Sequence, residues 1–382
     1  RPDLLTAARD APARQRTLRA VIEWSWNLLD ASERRALARL ALLSDGFTLA
    51  AAEALIGAQA ADLLDALVSH SLLVVRDHGL PRFHMLVTVR DFALEQLSAS
   101  GDEAAARVAL HEWAVDLCSQ IRFPIDAGDF GDVSHPESRH HDRLFQQIAH
   151  NEAVILQQLD RLLARADDYG SDHLPADLRD AICLIGAALM RLWSVTWSYE
   201  RIADYGSRLI GPAVQPGQDL RGNEAGLSVL ALCVTLFGLL SHMPMQIRSL
   251  LPASFDGEGS FERVRRFLRA GDEQWPELIG DADPWVAWAA TRCLAAQQED
   301  DGDPQASLRT IETLLDRLRR TDLAGIHLLE LHLHRLQVLM SLGRYNQVID
   351  ACSRAQVLLD RVLPSWGEFF RTTLRLEGAY CA

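Results

Sequence analysis

From Thr17 to Leu97 the apolar positions recur at helical spacing in four runs, switch to a short strand-like pattern, and then return to helical spacing. In the first run Leu18, Val21, Ile22, Leu28 and Leu29 fall on one predicted face, and Trp24 and Trp26 flank it as packing aromatics. Ser32 is placed to cap a second helix that turns Leu37, Leu40 and Ala41 inward. Gly46 breaks the chain, and Thr48 opens an alanine-rich third helix. A fourth, Ala61 to Ser69, buries Leu63, Leu64, Leu67 and Val68. The run "SLLVVRD", the turn "HGLP" and the run "RFHML" predict a β-hairpin. A last helix carries Val89, Phe92, Ala93 and Leu97 on one side and stops at Gly101. Four helices, a hairpin and a helix in that order predict a winged-helix domain.

Beyond Asp102 almost every segment has helical periodicity, interrupted by polar or Pro/Gly-rich breaks at 123–138, 211–223, 252–260 and 299–304. Helices between the breaks come in pairs, which predicts a repeat array. The clearest pair, "IHLLELHLHRLQVLMSLGRYNQVIDACSRAQVLLDRV", has Gly343 and Tyr345 at its turn and Ala355 inside its second helix. An earlier pair, "WVAWAATRCLAAQQEDDGDPQASLRTIETLLDRL", uses Gly302 in the same role. These pairs resemble tetratricopeptide repeats, although the spacing between the two glycines exceeds the roughly 34-residue period of that family. Val348 and Cys352 also depart from its pattern. The expected architecture is therefore mainly α: residues 1–16 as linker, a winged helix over 17–101, and a TPR-like α-solenoid over 102–382.

The chain contains no lysine; all 38 Lys+Arg residues are arginine. A complete P-loop needs a lysine ammonium at the phosphates, so none can exist here, and lysine Schiff-base chemistry is excluded with it. The formal net charge of -14 argues against a nucleic-acid backbone as main partner. The fourth helix offers Asp62 and Asp65 and no arginine, and residues 17–100 hold ten acidic side chains against seven arginines. That balance disfavours direct DNA contact by the wing.

Six scattered cysteines without a C-x-x-C pair fit a reduced, cytoplasmic setting. The most apolar run, Leu227 to Leu240, is too short to span a bilayer and reads as a buried core helix. His135, His140, His141 and Asp142 cluster in "SHPESRHHD", but neighbours on one segment rarely converge on one ion, and a solvated loop is the plainer reading. His327, His332 and His334 share a predicted helix, with the last two pointing apart. No nucleophile–base spacing stands out, so no enzyme activity, metal site or cofactor is expected in this chain.

The wording from "TLRAVIEWSWNLLDASERRALARL" through "RFHMLVTVRDFALEQL" resembles the segment that follows the nucleotide-binding core in STAND-type (NB-ARC) regulators, large signal-transduction ATPases common among actinobacterial transcription regulators. "HEWAVDLC", "FQQIAHNEAVILQQL" and "ALMRLWSVTWSYERIADYGSRLI" resemble the helical array that follows it in the same family. The resemblance implies that the winged helix folds over a nucleotide held by an upstream core, whose phosphates a Met-His-Asp motif senses. Here Met85 takes the methionine place, while Leu86 and Val87 stand where histidine and aspartate would be. An aliphatic pair neither donates to nor accepts from a phosphate. Met85, Thr88 and Arg90 remain as the residues expected to face the core.

The resemblance further implies that ATP or ADP is bound only upstream, that an effector domain reads the switch, and that self-association belongs to the full-length protein. The array is expected to bind a protein or small-molecule signal on a concave face, with Trp275, Trp285, Trp288 and Trp366 as candidate anchors. The opening at Arg1 in linker-like text leads us to expect a piece of a longer protein. A stand-alone TPR-like adaptor and a DNA-binding winged-helix regulator remain the alternatives.

Overall fold

The structure, a computed structural model, describes residues 19–43, 46–77, 81–120, 136–169, 174–196, 198–213, 266–267, 270, 272–318 and 326–362. The chain divides into two compact units, Arg1–Asp116 with His150–Gln158, and Leu117–Ala149 with Leu159–Ala382. It is mainly helical, with one two-stranded sheet among the described residues.

In the first unit, α1 spans 19–28 and α2 spans Ala31–Leu40. The cap of α2 is Asp30 rather than Ser32. Asp30 Oδ1 accepts from the backbone N–H groups of Ser32 (2.7 Å) and Glu33 (2.9 Å), and Glu33 Oε2 accepts from Asp30 N at 2.8 Å. This reciprocal box satisfies otherwise unpaired amides at the helix start and fixes the boundary two residues earlier. Thr48 caps α3 (Leu49–Ile56), as the pattern predicts, and its hydroxyl bonds Asn151 Oδ1 at 2.8 Å. Then come α4 (Ala60–Ser69), the hairpin β1 (Leu73–Asp77) and β2 (Pro81–Met85), α5 (Val87–Ser100) and α6 (Glu103–Ser119).

The strands pair antiparallel, Leu73 opposite Met85 and Val75 opposite Phe83. Phe47 adds an isolated bridge to β2, exchanging both backbone hydrogen bonds with Phe83 (3.1 and 2.9 Å) while their rings stack at 5.9 Å. The wing is thereby stitched to the turn before α3.

Leu37, Leu40, Leu55, Leu64, Leu67, Phe92 and Leu97 meet in one core. Only one edge of α1 joins it. Ile22 and Leu29 are buried and Trp26 meets Phe92 edge-on at 5.6 Å, but Val21, Trp24 and Leu28 are 55%, 66% and 53% exposed. The single apolar face expected for this helix is thus two faces, because α1 is apolar over more of its circumference than its neighbours cover.

Arg39 and Asp102 lock the far side of the core. Arg39 Nε and Nη2 reach Asp102 at 2.6 and 2.7 Å, and Arg39 Nη1 donates to the Leu55 carbonyl at 2.8 Å. One guanidinium so ties α2 to the end of α3 and to the turn after α5, which Gly101 makes with φ 74°. Hydrogen bonds from Arg39, with Arg35 adding to them, hold the Asp102 carboxyl well below the usual carboxylate range. Asp102→Asn is expected to cost about 1.5–3 kcal/mol at neutral pH, the range for hydrogen bonds to a charged group. The sign follows from the lowered folded value: this stability is present above about pH 4 and is lost as pH falls further. Urea unfolding of both proteins across that range should show the gap narrowing below about pH 4.

In the second unit, α9 (Ala176–Val195) and α10 (Tyr199–Ala213) form a hairpin. They approach so closely at Gly186 that an added Cβ would lie 2.5 Å from Leu209 Cδ2. Trp193 packs on Tyr205 at 5.2 Å, and the Tyr205 hydroxyl donates to Asp160 at 3.0 Å from α8 (Glu152–Asp167). The helix α7 is Pro136–His150. After the short α11 (Trp275–Leu278), Asp283 caps α12 (Pro284–Asp300).

Gly302, at φ 81°, turns the chain into α13 (Pro304–Leu318). Gly343, at φ 65°, does the same between α14 (Ile326–Ser341) and α15 (Tyr345–Val362). Each glycine occupies a left-handed conformation that lets two helices fold back on each other. Besides these hairpin contacts, α13 packs on α14 and α12 on α14, so successive first helices lie side by side in the manner of a helical repeat array.

Candidate functional sites

Met85 is largely buried in the winged-helix core. Arg90 Nε donates to the Ala41 carbonyl at 3.0 Å, stapling α5 to the end of α2. Both residues serve the fold first, so Thr88, which is exposed, is the one of the three that stands open. The aliphatic pair beside it is more exposed still, Leu86 at 60% and Val87 at 73%. Single exposed aliphatic residues are ordinary on a protein surface, and here two stand side by side. The pair starts α5 with no side-chain cap, so nothing local explains its outward placement.

The surface has little that would read DNA. On α4 the exposed groups include Asp62 and Asp65. On the wing Arg82 Nη1 is folded back onto the Gly46 carbonyl at 2.8 Å, while Arg76 is exposed.

The array holds a polar interior that the sequence reading passed over. Glu330 on α14 is 6% exposed; its Oε1 accepts from Arg191 Nη1 of α9 at 3.2 Å, and its Oε2 lies 3.4 Å from His327 Nδ1. Burial alone would raise this carboxyl, but Arg191, His327 and Arg292 bring it down to about 2, so it stays ionised. His327 lies against Trp288 at 4.1 Å between ring centres, tilted by 45°, and the Arg292 guanidinium lies 6.0 Å from the same indole. The available signal was a charged residue inside apolar helical text: Arg292 in "WVAWAATRCLAA" and Glu330 in "IHLLELHLH".

A second group joins His334, Glu299 and Ser307. Glu299 Oε1 accepts from Ser307 Oγ at 2.8 Å and from His334 Nε2 at 2.7 Å. The carboxylate stands between the hydroxyl and the imidazole, whereas nucleophilic catalysis needs the imidazole in the middle to take the proton. Burial pushes the His334 imidazole toward its neutral form, with Glu299 opposing. The arrangement is a structural bridge from α12 to α13 and α14.

Trp275, Trp285 and Trp288, expected as open anchors, are instead 4%, 2% and 2% exposed. Phe267 stacks on Trp275 at 6.3 Å and meets Trp285 edge-on at 6.0 Å, and Trp285 contacts Trp288 at 6.2 Å. Large aromatic areas with few polar atoms gain most when fully packed, so these three serve the interior. Trp366 lies outside the described residues, as do Leu227 to Leu240. The "SHPESRHHD" segment enters α7 at Pro136 rather than forming a loop throughout. Its side chains through Asp142 lie outside the described residues.

Among the described residues no group of three or more His, Cys, Asp or Glu is placed to hold a metal ion. No described helix is long and apolar enough to cross a membrane. Cys118, Cys183, Cys293 and Cys352 are buried, and burial pushes the Cys183 thiol up to about 12, which makes it inert as a nucleophile.

Residues 29–98 match the family model of the winged helix-turn-helix domain. A 130-residue stretch is 38% identical to "Putative HTH-type transcriptional regulator Rv0890c" of Mycobacterium tuberculosis; it is 32% of this chain and 15% of that protein. Another of 116 residues is 37% identical to "Uncharacterized protein Rv0894" of the same species, 28% of this chain and 29% of that protein. The chain therefore spans a minor part of the curated relatives it matches. A solved STAND protein with a tetratricopeptide repeat sensor from Pyrococcus horikoshii aligns over 93% of this chain and 54% of its own, at 11% identity and a TM-score of 0.30. That likeness is too low to carry an argument.

Proposed function

We propose that this chain is the regulatory portion of a STAND-type signal-transduction ATPase that controls transcription. The winged helix docks on a nucleotide-binding core of the same protein, and the helical array binds the protein or small-molecule signal. The observation that carries the reading is the set of exposed apolar side chains on the winged-helix unit. Leu86 and Val87 stand exposed where the resembling family places its phosphate-sensing pair, and α1 adds the outward stripe Val21, Trp24 and Leu28 at helical spacing. Exposed apolar side chains of this kind fit a protein partner, and the lack of side-chain donors on Leu86 and Val87 fits docking without direct reading of the phosphates. The similarity of part of the chain to a relative named as an HTH-type transcriptional regulator supports the regulatory half of the reading.

On this reading a ligand of the array moves the switch only by its differential affinity for the two states. The chain itself is not an enzyme and holds no cofactor, ATP and ADP being confined to the core. It works in the cytoplasm without membrane or direct DNA contact, and self-association is a property of the full-length protein.

The first test is the coding sequence upstream of Arg1, where a strand–GxxxxGK[ST]–helix is expected. The segment carrying it should bind this chain, and Val87→Glu or Trp24→Glu should weaken that complex tenfold or more, about 1.4 kcal/mol or above. An upstream sequence without a P-loop, or a complex indifferent to both substitutions, overturns the reading. The isolated chain is expected to show no micromolar heat of binding with ATP or ADP and no phosphate release. It should also form no specific DNA complex at physiological salt; a nanomolar shift lost on Arg76→Glu would favour the DNA-binding alternative instead.

A further inference from the structure

Arg292 is 5% exposed, yet no carboxylate pairs with it among the described residues. Its Nη1 donates to the Glu330 backbone carbonyl at 3.3 Å, and its guanidinium stands off the Trp288 ring at 6.0 Å; Nε has no acceptor. The two carboxylates that act on it through space are engaged elsewhere, Glu330 by Arg191 and His327, Glu299 by His334 and Ser307. Trp288 Nε1 and Thr291 Oγ1 likewise have no partner, in side chains 2% and 0% exposed. Residues three and four apart are neighbours on a helix, so Thr291 and Arg292 each lie next to Trp288 on α12.

Buried donors in native proteins are almost always matched, and a buried guanidinium whose neighbouring carboxylates hydrogen-bond elsewhere is costly to leave unmatched. Three such groups within about one helical turn, beside the ion pair that joins α9 to α14, are the chemistry of a binding site. Their shared preference is for acceptor oxygens carrying negative charge, which a planar guanidinium engages in a fork and an indole N–H and a hydroxyl complete.

We propose that α12, with the facing parts of α9 and α14, binds a small oxyanion-bearing ligand, a carboxylate or a phosphate, through Arg292, Trp288 and Thr291. This deepens the reading of the array as the signal-binding part and rests on it, while owing nothing to the docking of the winged helix. Arg191, His327 and Glu330 are positioning residues: the ion pair and the His327–Trp288 ring contact hold the indole and Arg292 in place.

The experiment uses the whole chain and follows melting in sodium phosphate, sodium malonate or sodium acetate against sodium chloride at equal ionic strength. A ligand that binds only the folded state raises the melting temperature. At least one of the three anions should raise it by about 2–4 °C over chloride. That shift should vanish in Arg292→Met and shrink in Thr291→Val. The isosteric valine carries the comparison should the methionine variant not fold. A response to phosphate alone assigns a phosphoryl group, and a response to malonate or acetate assigns a carboxylate. If no anion stabilises the wild type beyond chloride, or the variants respond as the wild type does, the proposal is wrong. Either result leaves the docking of the winged helix to be decided by its own complex.

Discussion

Glu330→Leu is expected to lower the stability of the helical array by about 3–5 kcal/mol, because removing one partner of a buried ion pair leaves the other charge without compensation. Arg191 and Glu330 are 4% and 6% exposed and meet at 3.2 Å, so water cannot replace the lost contact. The substitution conserves approximate volume, which separates the charge effect from a cavity effect. Changing both members together, Arg191→Met with Glu330→Leu, should give a protein more stable than Glu330→Leu alone, since apolar residues of similar size replace buried pairs at little cost. Urea unfolding followed by tryptophan fluorescence measures both. A double variant no better than the single would show that the pair is not the source of the loss.

The same pair sets a pH dependence. The folded carboxyl of Glu330 is brought down to about 2, below its unfolded value. Its contribution is therefore complete above about pH 4.5 and is lost as pH falls toward 2. The Glu330→Leu variant should lack that part of the acid transition.

Trp285→Ala is the second large effect expected, at about 3–5 kcal/mol. The indole is 2% exposed and lies between Phe267 and Trp288, at 6.0 and 6.2 Å between ring centres. It also sits in the first turn of α12, where its backbone N–H donates to the capping Asp283 at 2.9 Å. Loss of the ring leaves a cavity that neighbours on a rigid helix start cannot fill. Trp285→Phe should recover much of the loss, and thermal or urea unfolding ranks the three proteins. A Trp285→Ala protein that melts with the wild type would return this residue to the role of an open anchor.

The elements of the winged helix were legible because each rests on local chemistry. Thr48 caps α3, Gly101 ends α5 in the left-handed region, and the leucine and β-branched run of "SLLVVRD" pairs with "RFHML" as the hairpin. Gly302 and Gly343 marked their helical turns for the same reason: few other residues adopt positive φ at so little cost. The cap of α2 was misplaced because Asp30 and Ser32 are both good caps two residues apart. Only the reciprocal bond from Glu33 chooses between them.

Which apolar residues face inward was another matter. Helical spacing put Val21 and Leu28 with Ile22 and Leu29, but the packing of α1 against α5 covers one edge and leaves the other to solvent. It also made Trp24 and Trp285 look alike as aromatic area, whereas one is 66% exposed and the other 2%. Exposure depends on what another segment brings to that side, which no local pattern encodes.

By itself, then, the sequence determined what is covalent or local: the absence of lysine and hence of a P-loop, the acidic balance, the helix order, and the aliphatic pair at Leu86 and Val87. Tertiary structure decided what depends on residues far apart in the chain. Arg191 meets Glu330 across 139 positions and Arg39 meets Asp102 across 63. Charged residues inside apolar helices are ambiguous until the fold shows whether a partner reaches them, because burial without a partner and burial with one differ in energy and not in spelling.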